Sequence, residues 1–188
     1  MGVKAMTELE LIREIQKKGV HSAAFVDTVK VPFDPNLRKY CTPQACGSYG
    51  KNWGCPPAVG DIYDLIQRAK QYKRTLVYET VAQLEDSFDY EGIRAGGLRH
   101  KQITNEITPL IRSFTGKDLI QLSAGGCTVC ERCSKMDEQP CRFPERALHS
   151  VSAYGIYVSK LAKICGLEYN NGENTVTMFG VVFFQKSE

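Results

Sequence analysis

The order of apolar and polar residues divides the chain into short periodic segments joined by two stretches that have no period. Thr7-Glu-Leu-Glu10 has the capping-box arrangement, and Leu9, Leu11, Ile12 and Ile15 follow at helical spacing with Gly19 as a stop. Alternating apolar residues over 21–31 (Ala23, Phe25, Val29, Val31) predict a strand. Asp61 can cap a helix carrying Ile62, Leu65, Ile66 and Ala69, and 75–84 reads as a strand with Leu76, Val77, Tyr78 and Val81. Residues 88–114 predict a helix weakened at Gly96-Gly97. Its second half keeps Ile103, Ile107, Leu110, Ile111 and Phe114 on one stripe, where Pro109 is expected to kink or restart it. A short strand is expected over 117–123 and a helix start at Pro144-Glu145. A longer helix over 150–165 would carry Val151, Tyr154, Val158, Leu161 and Ile164 and end at Gly166, and a last strand would span 175–184. Strands and helices alternate, which predicts an α/β or α+β fold. The expected architecture is a single-domain sandwich over 1–188, a mixed sheet with helices and two cysteine-rich metal-binding loops outside the sheet.

The two aperiodic stretches are 32–60 and 124–144. The first holds five prolines, four glycines and three cysteines, and loops of that length are functional or disordered unless something orders them. A chain of 188 residues, 43% hydrophobic and 24% charged, is long enough to bury a core without staples. Lys and Arg number 24 against 21 Asp and Glu, too even a balance to indicate nucleic acid or a membrane surface as partner. No run approaches the ~20 apolar residues of a membrane span. The start lacks the apolar core of a signal peptide and the sixth-position Ser or Thr of a myristoylation site. A cytoplasmic location is therefore expected.

Eight cysteines change the picture, because seven of them fall in the two loops. In a reducing compartment clustered thiols are most simply metal ligands rather than disulfides. Cys127-Thr-Val-Cys130-Glu-Arg-Cys133 is a C-x2-C-x2-C run, joined after seven intervening residues by Cys141 with Pro144 beyond. A cubane presents irons at tetrahedral corners, which thiolates at every third residue plus a fourth from downstream can reach; the nearest relative in spacing is the ferredoxin pattern C-x2-C-x2-C-x3-C-P. Zinc is the alternative, although structural zinc sites draw two ligands from each of two knuckles. Gly125-Gly126 before the first ligand would let backbone N–H groups approach a cluster's sulfides, or would simply make a turn. Arg132, Lys135 and Arg142 lie among the ligands and acquire no specific role.

Cys41-x4-Cys46-x8-Cys55 supplies three more thiols. Three-cysteine ligation would leave one iron open as a Lewis acid, which suits an enzyme better than an electron carrier. Alternatively Cys55-Pro serves the other cluster, as the remote Cys-Pro of ferredoxins does, or these cysteines share one metal with Cys141. Tyr49 and Trp53 would shield a cluster or anchor the loop. Cys165, on an apolar stripe, reads as a core residue. His21, His100 and His149 lie outside the loops, His149 being the candidate extra ligand, eight residues after Cys141. No Walker A, G-x-G-x-x-G, G-x-S-x-G or H-E-x-x-H motif occurs.

Cys41-x4-Cys46, Trp53-Gly-Cys55-Pro-Pro57, Gly126-Cys127-x2-Cys130-x2-Cys133, Cys141-Arg-Phe-Pro144 and Tyr154-Gly-Ile-Tyr-Val158 together resemble a bacterial and archaeal family of cysteine-rich proteins described as predicted metal-binding, a domain of unknown function. The resemblance covers most of the chain and implies metal binding. Such sequences often carry Ser-Met-Glu-Ala-Tyr-Gly where this one has Ser150-Val-Ser-Ala-Tyr-Gly155. The function expected is an iron–sulfur protein with one [4Fe–4S] cluster on Cys127, Cys130, Cys133 and Cys141 and a second centre on Cys41, Cys46 and Cys55. It would transfer single electrons to, or support, a partner redox protein. The alternatives are an iron–sulfur enzyme acting on a small substrate at an open iron, and an interaction module held by structural zinc.

Overall fold

A computed structural model describes residues 6–116 and 118–185. Four helices, α1 (Glu8–Gln16), α2 (Ile62–Lys70), α3 (Tyr90–Thr115) and α4 (Val158–Cys165), enclose five strands. The strands are β1 (Ser22–Asp27), β2 (Arg74–Gln83), β3 (Leu119–Ser123), β4 (His149–Ser150) and β5 (Thr175–Phe184), in the order β1-β2-β5-β3-β4. All neighbours are antiparallel except β3 and β4, so the molecule is a mixed α+β sandwich. Along β5, Phe179, Val181 and Phe183 face one way with Val77, Leu122 and the buried residues of α2 and α4. Val182 and Phe184 face the other way with Leu76, Tyr78 and the stripes of α1 and α3. The period of two along the strands thus feeds two cores, one per face.

The capping box at Thr7 and the Asp61 cap form as the sequence indicates. Four expectations need correction. The strand expected over 21–31 stops at Asp27, where a turn of 3-10 helix leaves Val29 exposed. The helix holding Gly96-Gly97 and Pro109 runs unbroken for 26 residues. A Cβ on Gly96 would lie 3.0 Å from Ala82 Cβ and 3.1 Å from Val176 Cγ1, so this glycine serves close helix–sheet packing instead of ending the helix. The helix expected over 150–165 begins only at Val158, because Gly155 adopts φ +62° and its carbonyl accepts from Asp34 N at 2.7 Å. Pro144-Glu145 forms a turn rather than a helix start. Lys117, the expected first residue of the third strand, lies outside the described residues, as do 1–5. Among the described residues no helix is long and apolar enough to cross a membrane.

The two cysteine loops meet beside the β3–β4 pair, where Ser150 N donates to Gly54 O at 3.0 Å. The second connects the parallel pair β3 and β4, and the first returns from β1 to α2. Arg38 pins the first loop by donating to Gly60 O at 3.0 Å and Ala153 O at 3.1 Å.

Candidate metal centre

All eight cysteines are free thiols. Cys127, Cys130, Cys133 and Cys141 line one narrow cavity whose other walls include Trp53, Val129, Phe143 and Ala147. Cys41, Cys46 and Cys55 line a second, wider cavity of about 320 Å³, with Tyr40, Tyr49, Ser48, Ser150 and Ser152 among its walls. The two groups read from the sequence are therefore two groups in space. No fourth cysteine lines the wider cavity, and Ser152 stands there at the position where the resembling sequences often carry Glu.

The loops are interleaved. Trp53 and Gly54 of the first loop wall the narrow cavity, whereas the next residue, Cys55, walls the wide one. Gly125 and Gly126 wall the wide cavity, whereas Cys127 walls the narrow one. Neighbouring Cα atoms are about 3.8 Å apart, so the partition between the cavities is one residue thick at two places. Gly125 and Gly126, expected to serve the Cys127 cluster, border the cavity of the other cysteines.

Close contacts hold this partition. A Cβ on Gly126 would meet Ser48 Oγ at 2.7 Å and Asn52 Nδ2 at 2.8 Å. One on Gly54 would meet Leu148 O at 2.2 Å, and the Gly54 carbonyl accepts from Ser150 N at 3.0 Å. Buried Asn52 turns the chain by accepting from Gly54 N at 3.1 Å. Trp53 Nε1 donates to Gln139 O at 3.0 Å, and Lys135 Nζ lies 5.4 Å from the Trp53 ring centre, tying the second loop to the first. Arg132 pairs with Asp137 at 2.5 Å and Arg142 donates to the Arg132 carbonyl, so the basic residues of the second loop brace the loop itself.

Lys101, from α3, is a residue the sequence did not single out. Its ammonium lies at the partition, 3.6 Å from where a Cβ on Gly125 would stand. Burial lowers its pKa, while Cys127 and Cys55, one thiol from each group, act in the opposite direction. Nothing in the local pattern marks it, because a lysine between His100 and Gln102 reads as one more polar position of an amphipathic helix.

Burial also acts on the thiols. It pushes Cys55 up to about 11, against a hydrogen bond from Asn52, and it raises Cys41, with Cys46 adding to the rise. A metal held by Cys41 and Cys55 would have to displace those protons. Cys165 packs against the core of α2 and α4, and burial pushes it up to about 11, in keeping with an inert thiol. His149 Nδ1 shares a hydrogen bond with Tyr154 Oη at 3.1 Å, and His149 lines a third cavity, which no cysteine walls. His100 is fully buried beside Thr80, 2.9 Å from Nδ1.

Among the described residues, no three His, Cys, Asp or Glu side chains are drawn around a point that could hold a single ion. The donor set of each cavity is thiol sulfur, the soft donor that selects zinc, copper(I) or iron–sulfur centres over hard cations. Between Ser123 and the 3-10 turn at Ser134 the second loop has no helix or strand, so its thiols can close on an inorganic core. The residues fit a thiolate-held metal centre.

A family model described as predicted metal-binding protein, DUF2284, matches residues 24–184. The chain belongs to this family. The match spans both cysteine loops and every strand from β2 to β5. No curated protein and no solved structure matches the chain.

Proposed function

We propose that this member of the family is an iron–sulfur protein of a reducing, cytoplasmic compartment. One [4Fe–4S] cluster would be held by Cys127, Cys130, Cys133 and Cys141, and a second centre by Cys41, Cys46 and Cys55. The observation that carries the reading is the grouping of seven thiols into two cavities divided by a wall one residue thick. Two centres so close would exchange single electrons with each other and pass them to a partner redox protein. When bound, the clusters supply that electron storage. The chain orients them, shields the narrow site with Trp53 and Phe143, and sets a cation, Lys101, at the wall between them.

The wide cavity favours a second role alongside the first. It has three cysteines, an opening of about 320 Å³ and hydroxyl groups from Tyr, Ser48, Ser150 and Ser152, so a small polar molecule could reach a metal whose fourth position is free.

The test is metal and acid-labile sulfide analysis of protein purified without oxygen. About eight irons and eight sulfides per chain, with broad absorption that bleaches on reduction, is the expected result; about four would leave a single cluster. A colourless protein with stoichiometric zinc and no sulfide would overturn the proposal in favour of a structural zinc module.

A further inference from the structure

A third cavity, of about 880 Å³, lies between α3, β3 and the segment that follows Cys141. Arg68 of α2, Arg112 of α3 and Arg146 all line it, and none of the three forms an ion pair with a carboxylate among the described residues. Arg112 donates one Nη to the Glu145 carbonyl, but its Nε is shut off from solvent and has no partner. A desolvated guanidinium donor left unused in a cavity wall is costly in a finished core and ordinary in a binding site awaiting its ligand. Arg146 leans on Phe143, 5.4 Å from the ring centre, and stays exposed at the rim with Arg68. The floor mixes polar groups (Gln121, His149) with apolar ones (Ile120, Leu148), and Asn105 lines the cavity at the surface. The charge of Arg68 reaches that floor, adding to burial in lowering the His149 pKa and opposing the rise that burial causes at Tyr154.

We infer that this cavity binds a small organic anion, its carboxylate or phosphate group held by Arg68, Arg112 and Arg146 and its body resting on Ile120 and Leu148. Guanidinium forks suit both oxyanions, which they grip through paired N–H donors. The volume lies in the range of small-molecule sites. Ala147 lines both this cavity and the narrow cysteine cavity, so the anion would sit against the outer wall of the proposed cluster. The inference goes beyond the iron–sulfur reading and does not depend on it, since the cavity is walled by the sandwich and its own side chains.

The test is calorimetric titration of the anaerobically purified protein with inorganic phosphate and, separately, with succinate. Saturable binding of at least one is expected, and which one binds tells a phosphate ligand from a carboxylate. Arg68→Gln and Arg146→Gln, which remove no hydrogen bond of the fold, should each weaken binding about tenfold, with unchanged metal content and melting temperature. Arg112→Gln should abolish it, with loosening of the second loop read separately by metal content. No binding of either probe at about 10 mM, or binding that neither rim variant alters, would overturn the inference.

Discussion

Lys101 concentrates the consequences of the partition in one side chain. A half-buried ammonium with no carboxylate partner among the described residues, beside one thiol of each group, favours the more negative state of any centre those thiols hold. Lys101→Met is expected to lower the reduction potential by on the order of 60 mV, a tenfold change in a one-electron equilibrium. Lys101→Arg should restore most of it, with iron content constant in both, as read by potentiometric titration. The glycines of the partition are equally specific. Gly54→Ala would push a methyl into a backbone carbonyl 2.2 Å away, and a loss of about 2–3 kcal/mol is expected in urea unfolding. Gly126→Ala meets side-chain atoms that can yield and should cost less. His100 carries a pH signature. Burial pushes it down to about 4 from 6.5, so the folded protein keeps it neutral while the unfolded chain takes up a proton. That difference is harmless above pH 6.5 and removes stability as the pH falls from 6.5 towards 4, by at most about 3 kcal/mol. The stability of the wild type relative to His100→Leu should therefore decline across this window; a constant difference would mean that His100 takes up a proton as readily in the fold as in the unfolded chain.

Among the elements, α3 departs furthest from the local rules. Pro109 sits within it and cannot donate to the carbonyl four residues back, yet the helix continues because Ile103, Ile107 and Ile111 are buried against the sheet. Pro109→Ala restores that donor and is expected to stabilise the protein by about 1–3 kcal/mol, measured by denaturant unfolding. The caps at Thr7 and Asp61 and the stripe of α2 were readable from the chain, because a helix end and an amphipathic face are set by residues three or four apart; on α1 only Leu11 and Ile15 of the expected residues are buried, and Leu9 is exposed. The break at Gly155 was not, because it answers to Asp34, far away in sequence, and the apolar spacing of 150–165 fits a continuous helix as well.

At the scale of the whole molecule, most of the buried residues of the two cores come from the helices and strands and their immediate flanks, and the cysteines lie at the margin. The first loop packs Phe33 and Val59 against one core, and the loops bury Cys55, Asn52 and Ser134. Removing metal with a chelator is therefore expected to leave the far-UV circular dichroism largely intact while opening the chain to protease within 41–60 and 124–147. Collapse of the spectrum would show instead that the sandwich depends on its metal. Cys130→Ala and Cys55→Ala should each remove about half of the iron, since each belongs to one cavity. Unchanged iron in Cys55→Ala would dismiss the second centre.

The sequence by itself determined the grouping of the thiols, the soft donor chemistry that follows from it, and most of the strands and helices, all of which depend on residues near one another in the chain. Only the tertiary structure decided which walls belong to which group. It set Gly125-Gly126 beside the cysteines of the other loop, Trp53 against Cys127, Lys101 at the wall between them, and three arginines around a separate cavity. These are contacts between segments tens of residues apart, fixed by how helices pack on a sheet, and no local spacing encodes them.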